Sequence, residues 1–167
     1  MIKSDTIAAI ATGMVSSGIG IVRISGADAL SIASLIFKSK SGKEYKEEDF
    51  ESHRAYYGFI YDKENPVDEV LLLYLKGPKS FTAEDTVEIN CHGGLLITQK
   101  VLEVVIKNGA RLALPGEFTK RAFLNGRIDL TKAEAIMDVI SADNNLALKA
   151  SMKQLRGDIY NSIKKII

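Results

Sequence analysis

The side chains with the greatest chemical potential lie in Cys91-His92-Gly93-Gly94, where a thiol stands beside an imidazole. Such a pair can act as nucleophile and base, or can bind a metal ion. The chain has one cysteine and two histidines, and the second histidine, His53, is distant in sequence, which disfavours a metal site. We therefore interpret Cys91 as a core residue and His92-Gly93-Gly94 as a strand-to-helix turn. An anion could bind at such a helix start, but a plain tight turn is favoured.

The sequence contains no G-x-x-x-x-G-K-[ST] segment, the glycine-rich loop that cradles nucleotide phosphates. The nearest approach to it is Gly93-Gly94, and the next lysine, Lys100, lies too far along the chain to reach back to that loop. We therefore predict that this chain alone does not hydrolyse GTP.

The composition is that of an ordinary globular protein, with 167 residues, 46% hydrophobic and 26% charged. A net charge of +1 argues against a strong grip on nucleic acid, although residues 119–167 carry nine basic and five acidic side chains. A single cysteine fits a reducing cytoplasm, where we expect the protein to reside. No apolar run is long enough to cross a membrane, and we identify no signal peptide.

Two kinds of periodicity predict an α+β fold, a mixed α/β sheet with helices packed on it. Charged residues dominate 38–51, which we interpret as an exposed loop. Strands are predicted at Thr6–Ala11, Ile19–Ile24, Ala55–Tyr61, Glu69–Leu75, Thr86–Cys91 and Arg111–Leu114. One helix is predicted after a Ser25 cap, and a second at Leu95–Lys107 with Gly109 in a left-handed C-cap position.

After Pro115 the pattern becomes helical, which predicts a domain boundary: residues 1–115 form one domain, and residues 116–167 begin an all-α domain. The spacing of Phe118, Ala122 and Phe123 predicts a short helix that ends near 125–126. A capping box of Thr131 with Glu134 is predicted to start a second helix at 132–142, and Asp143 is predicted to cap a third from Asn144 onward. The apolar stripe of the third helix runs through Leu148, Met152, Leu155, Ile159 and Ile163. Because this stripe stays apolar to the last residues, we expect further helices to cover it in a longer protein.

Three segments carry a resemblance to a known family. They are DTIAAIAT…GIGIVRISG (5–26), SFTAEDTVEINCHGG (80–94) and LPGEFTKRAFLNGRIDLTKAEAIMDVI (114–140). Together they resemble the amino-terminal part of the MnmE (TrmE) family of tRNA modification GTPases. The third segment is the most specific, and the resemblance extends over essentially the whole chain.

The resemblance implies a first domain similar to the folate-binding domain of glycine-cleavage T-proteins, which forms a homodimer and binds tetrahydrofolate in its 5-formyl or 5,10-methylene form. It implies a helical domain with an inserted GTPase, absent here, that uses GTP, magnesium and potassium. With the partner MnmG (GidA), such a protein installs aminomethyl-type groups, including 5-carboxymethylaminomethyl, on the wobble uridine of tRNA, and folate supplies one carbon.

The family's folate contacts map onto Arg23, Glu88 and Arg127, although the family usually has lysine at the last position. A carboxylate such as Glu88 can accept two hydrogen bonds from the ring edge of a pterin, and either arginine can pair with its carbonyl or with the carboxylates of the folate tail. The alternatives are a water-facing Glu88, an Arg23 that guards an edge strand, and an Arg127 that is a surface charge.

The same alternatives extend to function. The chain could be a purely structural dimerisation scaffold without folate binding. It could also be a stand-alone aminomethyltransferase, which its length disfavours.

Overall fold

The computed structural model describes residues 5–156, which form a seven-stranded sheet and five α-helices. The strands are β1 (Ile7–Ile10), β2 (Ile19–Ser25), β3 (Phe37–Ser39), β4 (Arg54–Asp62), β5 (Asn65–Leu75), β6 (Thr86–His92) and β7 (Arg111–Leu112). The helices are α1 (Ala29–Ile36), α2 (Leu95–Lys107), α3 (Glu117–Leu124), α4 (Leu130–Ile140) and α5 (Asn145–Arg156), and a short 3₁₀-helix spans Glu47–Asp49. This mixed sheet with packed helices confirms the predicted α+β class.

The strand order is β3-β4-β5-β6-β2-β1-β7, and every neighbouring pair is antiparallel except β1 and β7. The described chain divides into two compact units, one ending at Phe118 and the other starting at Thr119. The sheet, α1 and α2 belong to the first unit. Among residues 5–156, no helix combines the length and the apolar character that a membrane span requires.

One face of the sheet forms the hydrophobic core with α1 and α2. Val22, Ile24, Val87 and Ile89 are fully buried at alternate positions of β2 and β6, and both helices contribute buried aliphatic side chains to the same cluster. Since successive side chains of a strand point to opposite faces, the residues between these four lie on the other side of the sheet. We call that side the second face; it bears Arg23 and Glu88.

Most predicted elements of the first unit are present. Helix α2 has the predicted bounds, and Gly109 after it has a φ of 118°, as a left-handed C-cap position requires. The predicted hairpin is formed by β4 and β5, each longer than expected, and the last strand is shorter than expected.

Two predictions in the first unit are wrong. Ser25 does not cap α1, whose N-cap residue is Asp28; Ser25 ends β2, fully buried, and its hydroxyl donates to Glu84 Oε2 at 2.8 Å. The charged segment 38–51 is not merely an exposed loop, because it contains most of β3 and the 3₁₀-helix. Its aromatic residues Tyr45 and Phe50 pack with each other at 5.2 Å between ring centroids, and Phe50 is buried.

In the second unit α4 packs against α5. The N-cap of α4 is Asp129, which accepts a hydrogen bond from Lys132 N at 2.7 Å, and not Thr131. Before α5, Asn144 Oδ1 accepts from Leu146 N at 3.1 Å and from Ala147 N at 2.9 Å, where Asp143 was expected to cap. Asp and Asn are equally good caps, so residue type did not separate Asp143 from Asn144. The predicted continuation of the stripe through Ile159 and Ile163 lies outside the described residues.

Candidate functional site

Two of the three predicted site residues form an ion pair on the second face. Arg23 of β2 and Glu88 of β6 are direct neighbours in the strand register. Arg23 Nε donates to Glu88 Oε1 at 2.8 Å, and Arg23 Nη2 lies 2.8 Å from the same oxygen. The two side chains are 27% and 18% exposed, so the pair is partly withdrawn from water. Charge-assisted hydrogen bonds of this kind are stronger than neutral ones.

The position of this pair bears on two of the alternatives, the edge-strand role of Arg23 and the water-facing Glu88. Strand β2 lies between β6 and β1, in the interior of the sheet, so Arg23 does not guard an edge. Glu88 lies opposite the core face, as a charge between Val87 and Ile89 must, yet it contacts Arg23 rather than facing water alone. Both arginine–glutamate bonds end on Oε1. Arg23 Nη1 and Glu88 Oε2 have no hydrogen-bond partner among residues 5–156.

Two aromatic rings complete the surroundings of Arg23. The Cζ atom of the guanidinium lies 5.8 Å from the ring centroid of Phe81 and 5.6 Å from that of Phe118, within the range of cation–π attraction. Sequence reasoning did not identify either ring as part of the site. Both rings lie inside segments that carry the family resemblance, SFTAED and LPGEF, and this is the sequence feature that could have pointed to them as site residues.

The loop between β5 and β6, which carries Phe81, is fixed by hydrogen bonds at both ends. Asp85 Oδ1 accepts from Gly77 N at 2.8 Å, and Asp85 Oδ2 accepts from the Tyr74 hydroxyl at 3.3 Å. Next to Phe81, Ser80 Oγ donates to Glu84 O at 2.6 Å. Burial, and then the nearby Asp85 carboxylate, raise the pKa of Tyr74 to about 12. The phenol therefore remains protonated and keeps donating to Asp85.

Glu117, the residue before Phe118, is held by two parallel hydrogen bonds from Arg111 of β7. Arg111 Nη2 donates to Glu117 Oε1 at 2.7 Å, and Arg111 Nη1 donates to Glu117 Oε2 at 3.1 Å. Glu117 Oε2 also accepts from Leu114 N at 2.7 Å. Asp5 binds the same guanidinium at Nε, and both carboxylates hold the pKa of Arg111 above its usual range, Glu117 more strongly. The residue before Phe118 is thus tied to β7.

The third predicted site residue, Arg127, belongs to the second unit. It follows Gly126, which has a φ of 70°, in the turn after α3, and its backbone N–H donates to Ala122 O at 2.9 Å. Its side chain is exposed. The structure therefore joins Arg23 to Glu88, while the role of Arg127 stays a prediction.

The residues of Cys91-His92-Gly93-Gly94 have separate structural roles. Cys91 is buried in the core as predicted, its Sγ–H donates to Gly20 O at 3.3 Å, and burial raises the pKa of the thiol. His92 pairs with Asp68 on β5. Gly93 allows a close approach of the preceding loop, because a Cβ there would lie 2.5 Å from Ser17 O and 2.7 Å from Ile19 C. The glycine is therefore explained by loop packing.

Comparisons with known proteins relate this chain to one group. The family model described as "GTP-binding protein TrmE N-terminus" matches residues 6–127. The chain is 56% identical over 164 residues to the tRNA modification GTPase MnmE of Lachnoclostridium phytofermentans, with 98% of this chain and 36% of that protein covered. It is 52% identical over 166 residues to the tRNA modification GTPase MnmE of Clostridioides difficile, with 99% and 36% covered. The chain thus spans 36% of the length of these curated relatives.

Proposed function

Since the chain belongs to the MnmE (TrmE) family of tRNA modification GTPases and matches its amino-terminal part, we propose that it binds tetrahydrofolate and forms a homodimer. Residues 1–115 would be the folate-binding and dimerisation domain, and residues 116–167 the start of the helical domain. Tetrahydrofolate, in its 5-formyl or 5,10-methylene form, supplies one carbon when bound. The residues of this chain bind and orient it.

The observation that carries the proposal is the Arg23–Glu88 pair. It leaves a guanidinium nitrogen, Nη1, and a carboxylate oxygen, Oε2, with no other protein partner among residues 5–156. A pterin ring offers a carbonyl acceptor and N–H donors on one edge, which match a donor and an acceptor respectively. The donor set of the site thus fits the ring edge of folate.

Charge and shape around the pair support the same ligand. The rings of Phe81 and Phe118 add flat apolar surface beside the charges, which suits a planar heteroaromatic ring. We propose Arg127 of the second unit as a further contact, for the carboxylates of the folate tail. Its guanidinium replaces the lysine usual in the family and keeps the positive charge.

The activity of the whole protein is also a proposal, because this chain spans 36% of its curated relatives. We propose that the full-length protein hydrolyses GTP in a separate domain with magnesium and potassium. With MnmG in the cytoplasm, it would modify the wobble uridine of tRNA, and the present chain would contribute the folate site and the contact between two copies.

A purely structural dimerisation scaffold is the second candidate. Exposed apolar side chains on the sheet favour it: Ile19 is 63% exposed, and Tyr57 and Leu71 are each 49% exposed. These three side chains line one surface depression, and a contiguous exposed apolar patch, unlike scattered apolar residues, marks a surface that binds another protein. A scaffold would need this surface and would not need the Arg23–Glu88 pair.

Isothermal calorimetry with 5-formyltetrahydrofolate separates the two functions. We expect the chain to bind it with a dissociation constant in the micromolar range, about −8 kcal/mol, and to bind p-aminobenzoylglutamate, which lacks the pterin, much more weakly. Sedimentation of the same samples measures dimerisation. A dimer that binds no folate would support the scaffold, and a monomer without folate binding would contradict both functions.

A further inference from the structure

Arg23 is constrained on three sides. Its Nε and Nη2 atoms are committed to Glu88, and its guanidinium lies against both Phe81 and Phe118. A guanidinium is planar, so hydrogen bonds at one edge together with ring contacts define its orientation almost completely. The remaining edge, at Nη1, is the part of the side chain that can meet a ligand.

We propose that Phe81 and Phe118 are positioning residues, which together with Glu88 hold the Arg23 guanidinium in one orientation, so that its Nη1 edge meets the flat ring of a carbonyl-bearing heteroaromatic ligand. This inference rests on the proposed function, in which that ligand is the pterin of folate. The rings act through Arg23, and they lower the entropy that an otherwise mobile arginine would lose on binding.

The segments that carry Phe81 and Phe118 are held by two separate sets of hydrogen bonds. Phe81 stands between buried Ser80 and Thr82 in a loop pinned by Asp85, and the Thr82 hydroxyl lies 2.7 Å from that of buried Ser25 at the end of β2. The loop is therefore tied to the strand that carries Arg23. A residue held by buried hydrogen-bonded neighbours keeps its place when no ligand is present.

The segment before Phe118, near the C-terminal end of the first unit, has its own hydrogen bonds. The Arg111–Glu117 fork makes two parallel hydrogen bonds and anchors Leu114 N as well. Bidentate pairs of this kind specify geometry as well as adding energy. The fork fixes the residue next to Phe118, so Glu117→Gln is expected to loosen Phe118 without removing its ring.

Nuclear magnetic resonance of the 167-residue chain tests positioning without any ligand. The heteronuclear Overhauser effect at Arg23 Nε–Hε is expected to be as high as that of backbone amides in the parent chain, and to fall in Phe81→Leu and in Phe118→Leu. Phe81→Tyr keeps an aromatic ring and is expected to restore it. Phe59→Leu is the matched control, because Phe59 lies on β4, separated from β2 by β5 and β6.

Calorimetry of the same variants with 5-formyltetrahydrofolate tests the consequence. The dissociation constant is expected to rise about fivefold in each leucine variant and to change little in Phe81→Tyr and Phe59→Leu. If Phe118→Leu proves unfolded by circular dichroism, Glu117→Gln provides the same two measurements for Phe118. If Phe81→Leu proves unfolded, Phe118→Leu alone decides the inference.

The outcomes separate this inference from the function on which it rests. Unchanged order of Arg23 in both leucine variants overturns the inference, and so does lower order with unchanged affinity. A parent chain that binds no folate contradicts the proposed function alone. In that case the order of Arg23 still decides the positioning: a fall in the leucine variants supports it, and no change overturns it.

Discussion

The carboxylate of Asp68 binds His92 at two atoms, accepting from the backbone N–H at 2.8 Å and pairing with ring Nδ1 at 2.7 Å. Asp68 is only 9% exposed, while the His92 ring is 67% exposed. The hydrogen bond to Asp68, then its charge, and more weakly the charge of Glu69, raise the pKa of His92 above the ordinary value for histidine. This joins β5 to the end of β6.

The first prediction follows from this pair. Because the pKa of His92 is higher in the folded than in the unfolded chain, its stabilising effect is complete below the unfolded pKa and is lost as pH rises through the folded pKa. Asp68→Asn is expected to lower the pKa of His92 and to remove this part of the pH dependence of stability. Proton resonance titration of the imidazole, with urea unfolding at about pH 5 and about pH 8, measures both.

His53→Gln is the control for that experiment, because it removes the other histidine signal and leaves the Asp68 pair intact. An unchanged His92 titration in Asp68→Asn would mean that the pair does not persist in solution.

The second prediction concerns Tyr74 at alkaline pH. Its pKa of about 12 in the folded chain exceeds the ordinary value for tyrosine. The stabilising effect of the neutral phenol is therefore complete below an unfolded pKa of about 10 and is lost as pH rises towards the folded pKa. Tyr74→Phe is expected to be less stable at neutral pH, because Asp85 loses a donor, and to lose less stability on alkalinisation.

Denaturant unfolding over this alkaline range measures the effect, with Tyr61→Phe as the control substitution. Parallel stability curves for the parent chain and Tyr74→Phe would contradict the prediction.

The third prediction concerns the turn before α2. Gly93→Ala would place a methyl group against the backbone of Ser17 and Ile19, and is expected to lower the free energy of unfolding by about 1–3 kcal/mol. Gly18→Ala is the matched control, since a Cβ at that position meets nothing within 4 Å. Thermal melting of both variants decides it. Equal melting temperatures would show that the 13–18 loop moves away easily.

The local sequence patterns predicted the helices and strands of this fold better than they predicted the contacts between them. Helix α2 was predictable because its apolar spacing and Gly109 agree. The strand residues within 38–51 were not predictable, because charged residues outnumber the aromatic residues that pack there. Arg23 and Glu88 stand 65 positions apart, and only strand register brings them together. Phe81 lies in a loop and carries no periodic signal, and the periodic signal of Phe118 predicts helix α3 but not its contact with Arg23.

The fourth prediction compares two predicted folate contacts. Glu88→Ala is expected to weaken binding of 5-formyltetrahydrofolate by roughly 2–5 kcal/mol, because it leaves both the ligand donors and Arg23 without their acceptor. Arg127→Lys restores the residue usual in the family and is expected to be tolerated. Calorimetry on both variants, with circular dichroism to establish folding, makes the comparison. Equal affinities for Glu88→Ala and the parent chain would leave Glu88 with a structural role in holding Arg23.

The fifth prediction is that GTP does not bind to this chain. A phosphate loop needs glycines that close onto a helix N-terminus and a lysine that reaches the outer phosphates. Here the turn before α2 has Gly93 and Gly94, but the space over Gly93 is taken by Ser17. The next lysine, Lys100, lies about 9 Å further along the helix and pairs with Glu103 at 3.1 Å. We expect magnesium and GTP to leave the melting temperature unchanged, whereas 5-formyltetrahydrofolate raises it. A change of melting temperature with GTP would place a nucleotide site in this chain and would contradict the proposal that GTP binds in a separate domain.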